Sequence, residues 1–261
     1  MYVLVDIGGT KTRVAGAKGT DRFEEPVIFS TPQKYDDALE KIEGAARGIS
    51  ADIERIVVGK PGTENLPAWA GKSFSHDLAA RIGAPVHVEN DTALVGLGES
   101  VYGAGRGAAL LAYVTVSTGV NGVRIVDRNI DRSCEGFEIG GQYLSMGEEP
   151  QTLEDLVSGK AIAARFGVHS PKDLGRDHPV WEELARTVAF GVHNTILHWS
   201  PERLVLGGSM FNEIGISVSR VEAHVREIMR KFSTIPRIVH SELGDTGGLW
   251  GALAHLKGFE H

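Results

Sequence analysis

The sequence predicts an α/β fold, a mixed sheet with helices on its faces, laid down twice along one chain. Three observations carry this. Apolar strand-like runs alternate with stretches of helical spacing from end to end. A strand, a glycine turn with a threonine and a return strand occupy residues 2–17, and the same pattern recurs at 110–130. The 33 glycines are many for 261 residues, and they gather at strand ends and turns, where loops of α/β proteins approach ligands. Repetition of the hairpin implies two lobes with a cleft between them.

Taken in order, residues 2–5 and 13–17 read as strands around a Gly8-Gly9 turn, with a third strand near 23–30. Residues 36–49 carry Ala38, Leu39, Ile42, Ala45, Ala46 and Ile49 on one helical side. The apolar run 55–59 ends in Gly-Lys-Pro-Gly, a buried strand feeding a loop. A short amphipathic helix at 77–82 precedes a strand at 85–88, which delivers Glu89, Asn90 and Asp91 at its C-terminal end, and 92–99 reads as helix. In the second half, 110–117 is a strand, 118–122 a turn and 123–130 the return strand. Helices are expected at 153–166, 180–199, 214–231 and 247–257, with strands at 203–206 and 237–240.

A hydrophobic content of 42% and a charged content of 23% are those of a soluble globular chain. A net charge of −7 argues against a nucleic-acid partner and fits a small-molecule substrate. The single cysteine, Cys134, allows no intrachain disulfide and no cysteine-rich zinc site. No run reaches membrane-spanning length and the chain opens directly into a strand, so a reducing cytoplasm is the expected location, with no membrane partner.

The chemistry-bearing residues lie at the strand ends. In the first hairpin, Gly8 and Gly9 let backbone N–H groups approach an anion, Thr10 and Lys11 add donors, and Asp6 can hold a magnesium ion through water. The alternative is a plain hairpin turn. Asp91 can accept a proton from a substrate hydroxyl attacking phosphorus, and Asn90 can hold a neighbouring hydroxyl, although the same segment can serve as a helix cap. Thr118 and Gly119 in the second hairpin offer donors to terminal phosphates. Gly207 and Gly208 would let a nucleobase and ribose lie against bare backbone. Glu138 and Glu154 can each bind sugar hydroxyls, or Glu154 is a first-turn charge favoured by the helix dipole.

These motifs, in this order, resemble the ROK family of bacterial sugar kinases and repressors. Asp6-Ile-Gly-Gly-Thr-Lys11 is similar to its first phosphate hairpin, Gly59-Lys-Pro-Gly62 and Asn65-Leu-Pro-Ala-Trp69 to its sugar-side loop, and Glu89-Asn-Asp-Thr-Ala93 with Gly98-Glu99 to its catalytic segment. Ser117-Thr-Gly119, Leu206-Gly-Gly-Ser209 and the run 243–249 resemble later landmarks. The resemblance implies an actin-like, hexokinase-like (ribonuclease H-like) two-lobe ATPase fold closing on ATP, Mg2+ and a sugar. It makes Asp91 the base and puts Gly62, Asn65, Asn90, Glu138 and Glu154 on the sugar. The implied lobes are 1–107 with 247–261, holding the first hairpin and the catalytic side, and 108–246, holding the second hairpin, the nucleotide side and the contacts of a homodimer. A glucokinase-like activity is expected. Kinases for fructose, N-acetylglucosamine or N-acetylmannosamine, and a non-catalytic sugar sensor, are the alternatives.

Two departures stand out. The family's zinc site uses a histidine in Glu-x-Gly-His and a cysteine cluster, whereas here the histidine position is Gly141 and the stretch Gly147 to Thr152 contains no cysteine, so no zinc is expected. Gln142 is a weak substitute for that histidine on the sugar. The loop between Gly62 and Asn65 is also short, which reshapes the sugar side.

Overall fold

The structure, a computed structural model, describes residues 1–63, 65–212 and 214–258. The chain forms two compact units, Met1–Val101 with Asp245–His261, and Tyr102–Gly244.

In the first unit, β1 (Tyr2–Ile7) and β2 (Lys11–Ala17) form the N-terminal hairpin, with Ile7 opposite Thr12. The edge strand β3 (Val27–Ser30) pairs antiparallel with β2, while β4 (Arg55–Lys60) and β5 (Val86–Asn90) add in parallel, giving the order β3-β2-β1-β4-β5. Val3, Leu4 and Val5 are each 0% exposed, because both faces of β1 are covered. One face packs on α1 (Tyr35–Ile49) and α2 (Phe74–Ile82), the other on α3 (Asp91–Val101) and the terminal helix α8 (Gly247–Lys257). Helices α3 and α8 meet backbone to backbone. A Cβ on Gly98 would lie 2.8 Å from the Gly251 nitrogen, and one on Gly251 would lie 1.8 Å from the Leu94 carbonyl oxygen. This close approach accounts for the glycine-rich terminal helix.

The second unit repeats the topology. Strands β6 (Leu110–Val116), β7 (Val120–Val126) and β8 (Asn129–Ile130) form an antiparallel meander, and β9 (Arg203–Gly207) and β10 (Arg237–His240) extend it in parallel. The order β10-β9-β6-β7-β8 is the first sheet's order with corresponding strands in corresponding places. Helices α4 (Leu153–Val157), α5 (Gly159–Phe166), α6 (Val180–Trp199) and α7 (Val218–Ile228) belong to this unit, and a core containing Val114, Leu153, Ile162, Val188, Leu206 and Val225 unites them with the sheet.

The mixed α/β architecture is as expected; the strand near 23–30 starts only at Val27, the helix at 77–82 starts already at Phe74 and the helix at 214–231 stops at Ile228, and four further differences have a local physical cause. The helix anticipated over 153–166 is two helices broken at Ser158, whose ψ of 150° is extended and whose hydroxyl accepts from the Ala161 N–H to start α5. The helix anticipated over 214–231 starts only at Val218, capped by Ser217, because Gly215 and Ile216 are pulled onto Met210, whose carbonyl accepts from the Ile216 N–H at 2.6 Å. The second turn is tighter than 118–122, since pairing resumes at Val120 opposite Val116. Its return strand stops at Val126, where Asp127 and Arg128 adopt φ of 49° and 62° and reverse the chain into β8.

Candidate active site

In the first unit the candidate residues collect where β1, β4 and β5 end, the usual ligand side of such a sheet. Pairing sets one row across it: Arg13 on β2 faces Asp6 on β1, Asp6 faces Gly59 on β4, and Gly59 faces Glu89 on β5. Residues opposite one another share a face, so three charged side chains flank a position with none. The Gly59 gap lets Asp91 approach: a Cβ there would lie 3.5 Å from the Asp91 Cα and 3.8 Å from Asp6 Oδ1.

Asp6 is the most constrained of these groups. Its side chain is 13% exposed, and Arg13 Nη1 donates to its Oδ2 at 3.4 Å while Nη2 reaches Asp245 at 3.2 Å. Burial pushes the Asp6 carboxyl up to about 6, against the pull of Arg13 and helped by the charge of Asp91. Burial also raises the Glu89 carboxyl. On the helix side, a Cβ on Gly248 would lie 2.5 Å from the Asp6 carboxylate, so α8 closes tightly over it. Asp6, an oxygen-only ligand group that gains from a nearby positive charge, has the chemistry to hold a hard divalent cation such as Mg2+. Among the described residues no three His, Cys, Asp or Glu side chains form a metal-binding cluster.

The Gly8-Gly9-Thr10 turn presents its tip outward, with Gly9, Thr10 and Lys11 exposed. It is braced from below. The Gly8 N–H donates to the Lys11 carbonyl at 2.9 Å, Thr31 Oγ1 donates to the Gly8 carbonyl at 2.7 Å, and the Thr31 N–H donates to the Thr10 carbonyl at 2.9 Å. Buried Thr12 pairs with Thr31 through their hydroxyls at 3.0 Å.

Asn90 ends β5 and Asp91 begins α3. Asn90 Oδ1 accepts from the Ala93 N–H at 3.1 Å and Asp91 Oδ1 accepts from the Thr92 N–H at 2.7 Å, so both residues cap the helix. Capping consumes one oxygen of each and fixes the pair in place. Gly62 and Asn65 lie on one turn, the Asn65 N–H donating to the Gly62 carbonyl at 3.2 Å. That turn follows β4, whose Lys60 pairs with Asn90, so Gly62, Asn65, Asn90 and Asp91 all hang from two adjacent strand ends.

In the second unit, Thr118 is exposed at the hairpin tip and the Ser117 N–H donates to the Gly119 carbonyl at 2.8 Å. Glu154, at the start of α4, sends Oε2 onto the Val120 N–H at 2.7 Å. Glu138 opens a helical turn whose Gly140 lies against the same residue, where a Cβ would come 2.2 Å from the Val120 carbonyl oxygen. The two glutamate segments therefore converge on the start of β7. Gly207 and Gly208 end β9 beside β6. Gly208 has φ of 95°, and a Cβ there would lie 2.4 Å from the Val116 carbonyl oxygen, while one on Gly207 would lie 2.5 Å from the Tyr113 hydroxyl. Close packing and backbone conformation thus already require both glycines. Gln142 is anchored inward, donating to the Ile139 carbonyl and accepting from Asn194 at 2.9 Å, and this is not the posture of a stand-in for the missing histidine.

Sequence reasoning missed Arg13, Thr31, Asp245 and Gly248. Arg13 was findable, because counting outward from the turn puts it opposite Asp6. Thr31 reaches the site from 19 and more residues away with no local signal to mark it, and Asp245, 232 residues from Arg13, lies in the run 243–249 that stood out without a role.

A double-hairpin α/β fold with carboxylates at its strand ends is the architecture of hexokinase-like phosphotransferases. The chain matches the ROK family over residues 2–258 and belongs to it. Among curated relatives, the bifunctional enzyme NanE/NanK of Brucella suis is 28% identical over 94% of this chain and 51% of its own, and a glucokinase of Streptomyces coelicolor is 23% identical over 97% and 96%. Among solved structures, the ROK hexokinase of Thermus thermophilus has a TM-score of 0.84 at 23% identity, covering 100% and 99% of the two chains. The ROK glucokinase of Streptomyces griseus, in complex with glucose and AMPPNP, has a TM-score of 0.80 at 23% identity over 98% of each. These likenesses establish the actin-like, hexokinase-like fold class.

Proposed function

We propose that this chain is an ATP-dependent sugar kinase that transfers the γ-phosphoryl group to a hydroxyl of a hexose, with glucose the leading acceptor. The observation that carries the reading is Asp91, held at the C-terminal end of β5 beside Asn90 and within the electrostatic reach of Asp6. Family membership and relatives named as kinases of several sugars support it.

In this reading Asp91 takes the proton of the acceptor hydroxyl as its oxygen attacks the γ-phosphorus and ADP leaves. The helix-capping bonds hold Asp91 and Asn90 without a search through rotamers, and Asn90 Nδ2, which makes no bond among the described residues, is left to orient an adjacent hydroxyl. Gly62, Asn65, Glu138 and Glu154 supply further hydroxyl contacts. The backbone N–H of Gly9, with Thr10, Lys11, Thr118 and Gly119, takes the phosphates, while Gly8, whose N–H donates to the Lys11 carbonyl, closes the first turn beneath them, and Gly207 and Gly208 lie on the nucleoside side. A magnesium ion held through water by Asp6 would neutralise phosphate charge. No zinc enters the scheme. A homodimer in a reducing cytoplasm completes the proposal; no described helix is long and apolar enough to cross a membrane.

The test is ADP release with glucose, fructose, mannose, N-acetylglucosamine and N-acetylmannosamine as acceptors. One sugar should stimulate turnover, and Asp91→Asn should lower kcat by about 10²–10⁴-fold with little change in sugar KM. Turnover that no sugar stimulates would sink the reading, and full activity in Asp91→Asn would remove the base.

A further inference from the structure

Resting on the kinase reading, we infer that Glu154 is a positioning residue that ties the acceptor side of the site to the second phosphate hairpin. One carboxylate oxygen holds the hairpin and the other is left for a further hydroxyl of the acceptor sugar. The hydrogen bond from the Val120 N–H to Glu154 Oε2, 2.7 Å, occupies the first backbone donor after the turn. In the turn itself the carboxylate lies directly against Gly119, where a Cβ would meet Glu154 Oε2 at 2.8 Å. Glu154 Oε1 makes no bond among the described residues, and the residue is exposed. The carboxylate is therefore bifunctional in geometry: one oxygen is spent inside the protein and one is open.

Its aim is set locally. Thr152 and Asp155 exchange capping-box bonds, Asp155 accepting from the Thr152 N–H at 2.9 Å, and this fixes the first turn of α4 on which Glu154 rides. The next turn of chain grips the hairpin too, the Gly159 N–H donating to the Ser117 carbonyl at 2.7 Å and the Lys160 N–H to the Thr118 carbonyl at 3.3 Å. Residues 154–160 thus hold the hairpin by an amide on one side and two carbonyls on the other. Gly140, two residues past Glu138, presses on the Val120 carbonyl. A hydroxyl donating to Glu154 Oε1 draws charge from the carboxylate and changes the bond that Oε2 makes to Val120. Acceptor binding is then felt where the donor's phosphates bind, and the coupling is reciprocal.

Two measurements on the intact protein decide it. Residue-resolved amide exchange, read by NMR without ligand, should show the Val120 N–H exchanging about tenfold faster in Glu154→Ala, with Val123 and Ile125 on the same strand unchanged as a folding control. Glu154→Gln, whose amide oxygen can accept the same bond, should restore most of the protection. Separately, titration of AMPPNP with Mg2+, with and without saturating acceptor sugar, should give a coupling of about fivefold or more in the wild type that falls to near one in Glu154→Ala. Unchanged Val120 exchange in Glu154→Ala overturns the clamp. Coupling that persists in Glu154→Ala overturns the link, and so does a wild type that binds both ligands without coupling. A wild type that binds no nucleotide overturns the kinase reading, and the exchange experiment still decides the clamp.

Discussion

The two hairpins have the same backbone plan and opposite electrostatic designs. In the first, the carboxylate grows from the hairpin itself: Asp6 is on β1, sealed under α8 and balanced by Arg13 directly across the pair. In the second, the strands carry no such charge, and the carboxylate arrives on Glu154 from α4, exposed and held by one backbone amide. The first turn is braced by a buried pair of threonines, the second by backbone bonds to a helix start. A duplicated scaffold therefore need not duplicate its chemistry. A sealed carboxylate is costly and stiff, whereas an exposed one is cheap and free to respond to a ligand.

Substitutions that test this contrast rank by how tightly each carboxylate is held. Gly248→Ala forces a methyl to 2.5 Å from the buried Asp6 carboxylate and should destabilise the protein by about 3 kcal/mol, read from urea unfolding. Its counterpart Gly119→Ala meets only the end of the exposed Glu154 side chain, which can swing away, and should cost under about 0.5 kcal/mol. Equal costs would erase the distinction.

Asp6→Asn, measured in EDTA, tests the cost of the sealed charge. Asp6 titrates near 3.8 ordinarily and near 6 in the folded chain, so between those values the native state holds more protons than the unfolded. Stability contributed by this group is full below pH 3.8 and is lost as pH rises to about 6. Asp6→Asn should remove that slope and stabilise the metal-free protein at pH 7 by about 2 kcal/mol after discounting the lost bond from Arg13. A lower melting temperature for the variant at pH 7 would show that Arg13 outweighs burial. Thr31→Val removes the bond to the Gly8 carbonyl and strands the Thr12 hydroxyl, and should cost about 1–2 kcal/mol by thermal unfolding. No change would mean that the first turn holds itself.

Much of the fold was legible because strand and helix periods leave a direct trace. The spacing of Ala38, Leu39 and Ile42 marked α1, and the run ending at Gly59 marked β4. The break at Ser158 and the late start of α7 were not, since each depends on a cap or a contact with Met210 that spacing does not encode. In the site, Asp6, Asn90 and Asp91 stood out because glycines and strand ends surround them. Asn90 and Asp91 both make the capping bonds that a strand end before a helix allows, and capping and chemistry do not exclude each other.

The sequence by itself determined that two glycine hairpins of one pattern lie on two α/β halves, and that the family histidine gives way to Gly141, because these are statements about which residue follows which. Only the tertiary structure decided what each hairpin's carboxylate is bound to. Arg13 meets Asp6 through strand register, Gly248 meets it through helix packing, and Glu154 meets Val120 across 34 positions of chain. Those pairings set the charge at each turn, and charge falls off with distance in space, not with separation in sequence.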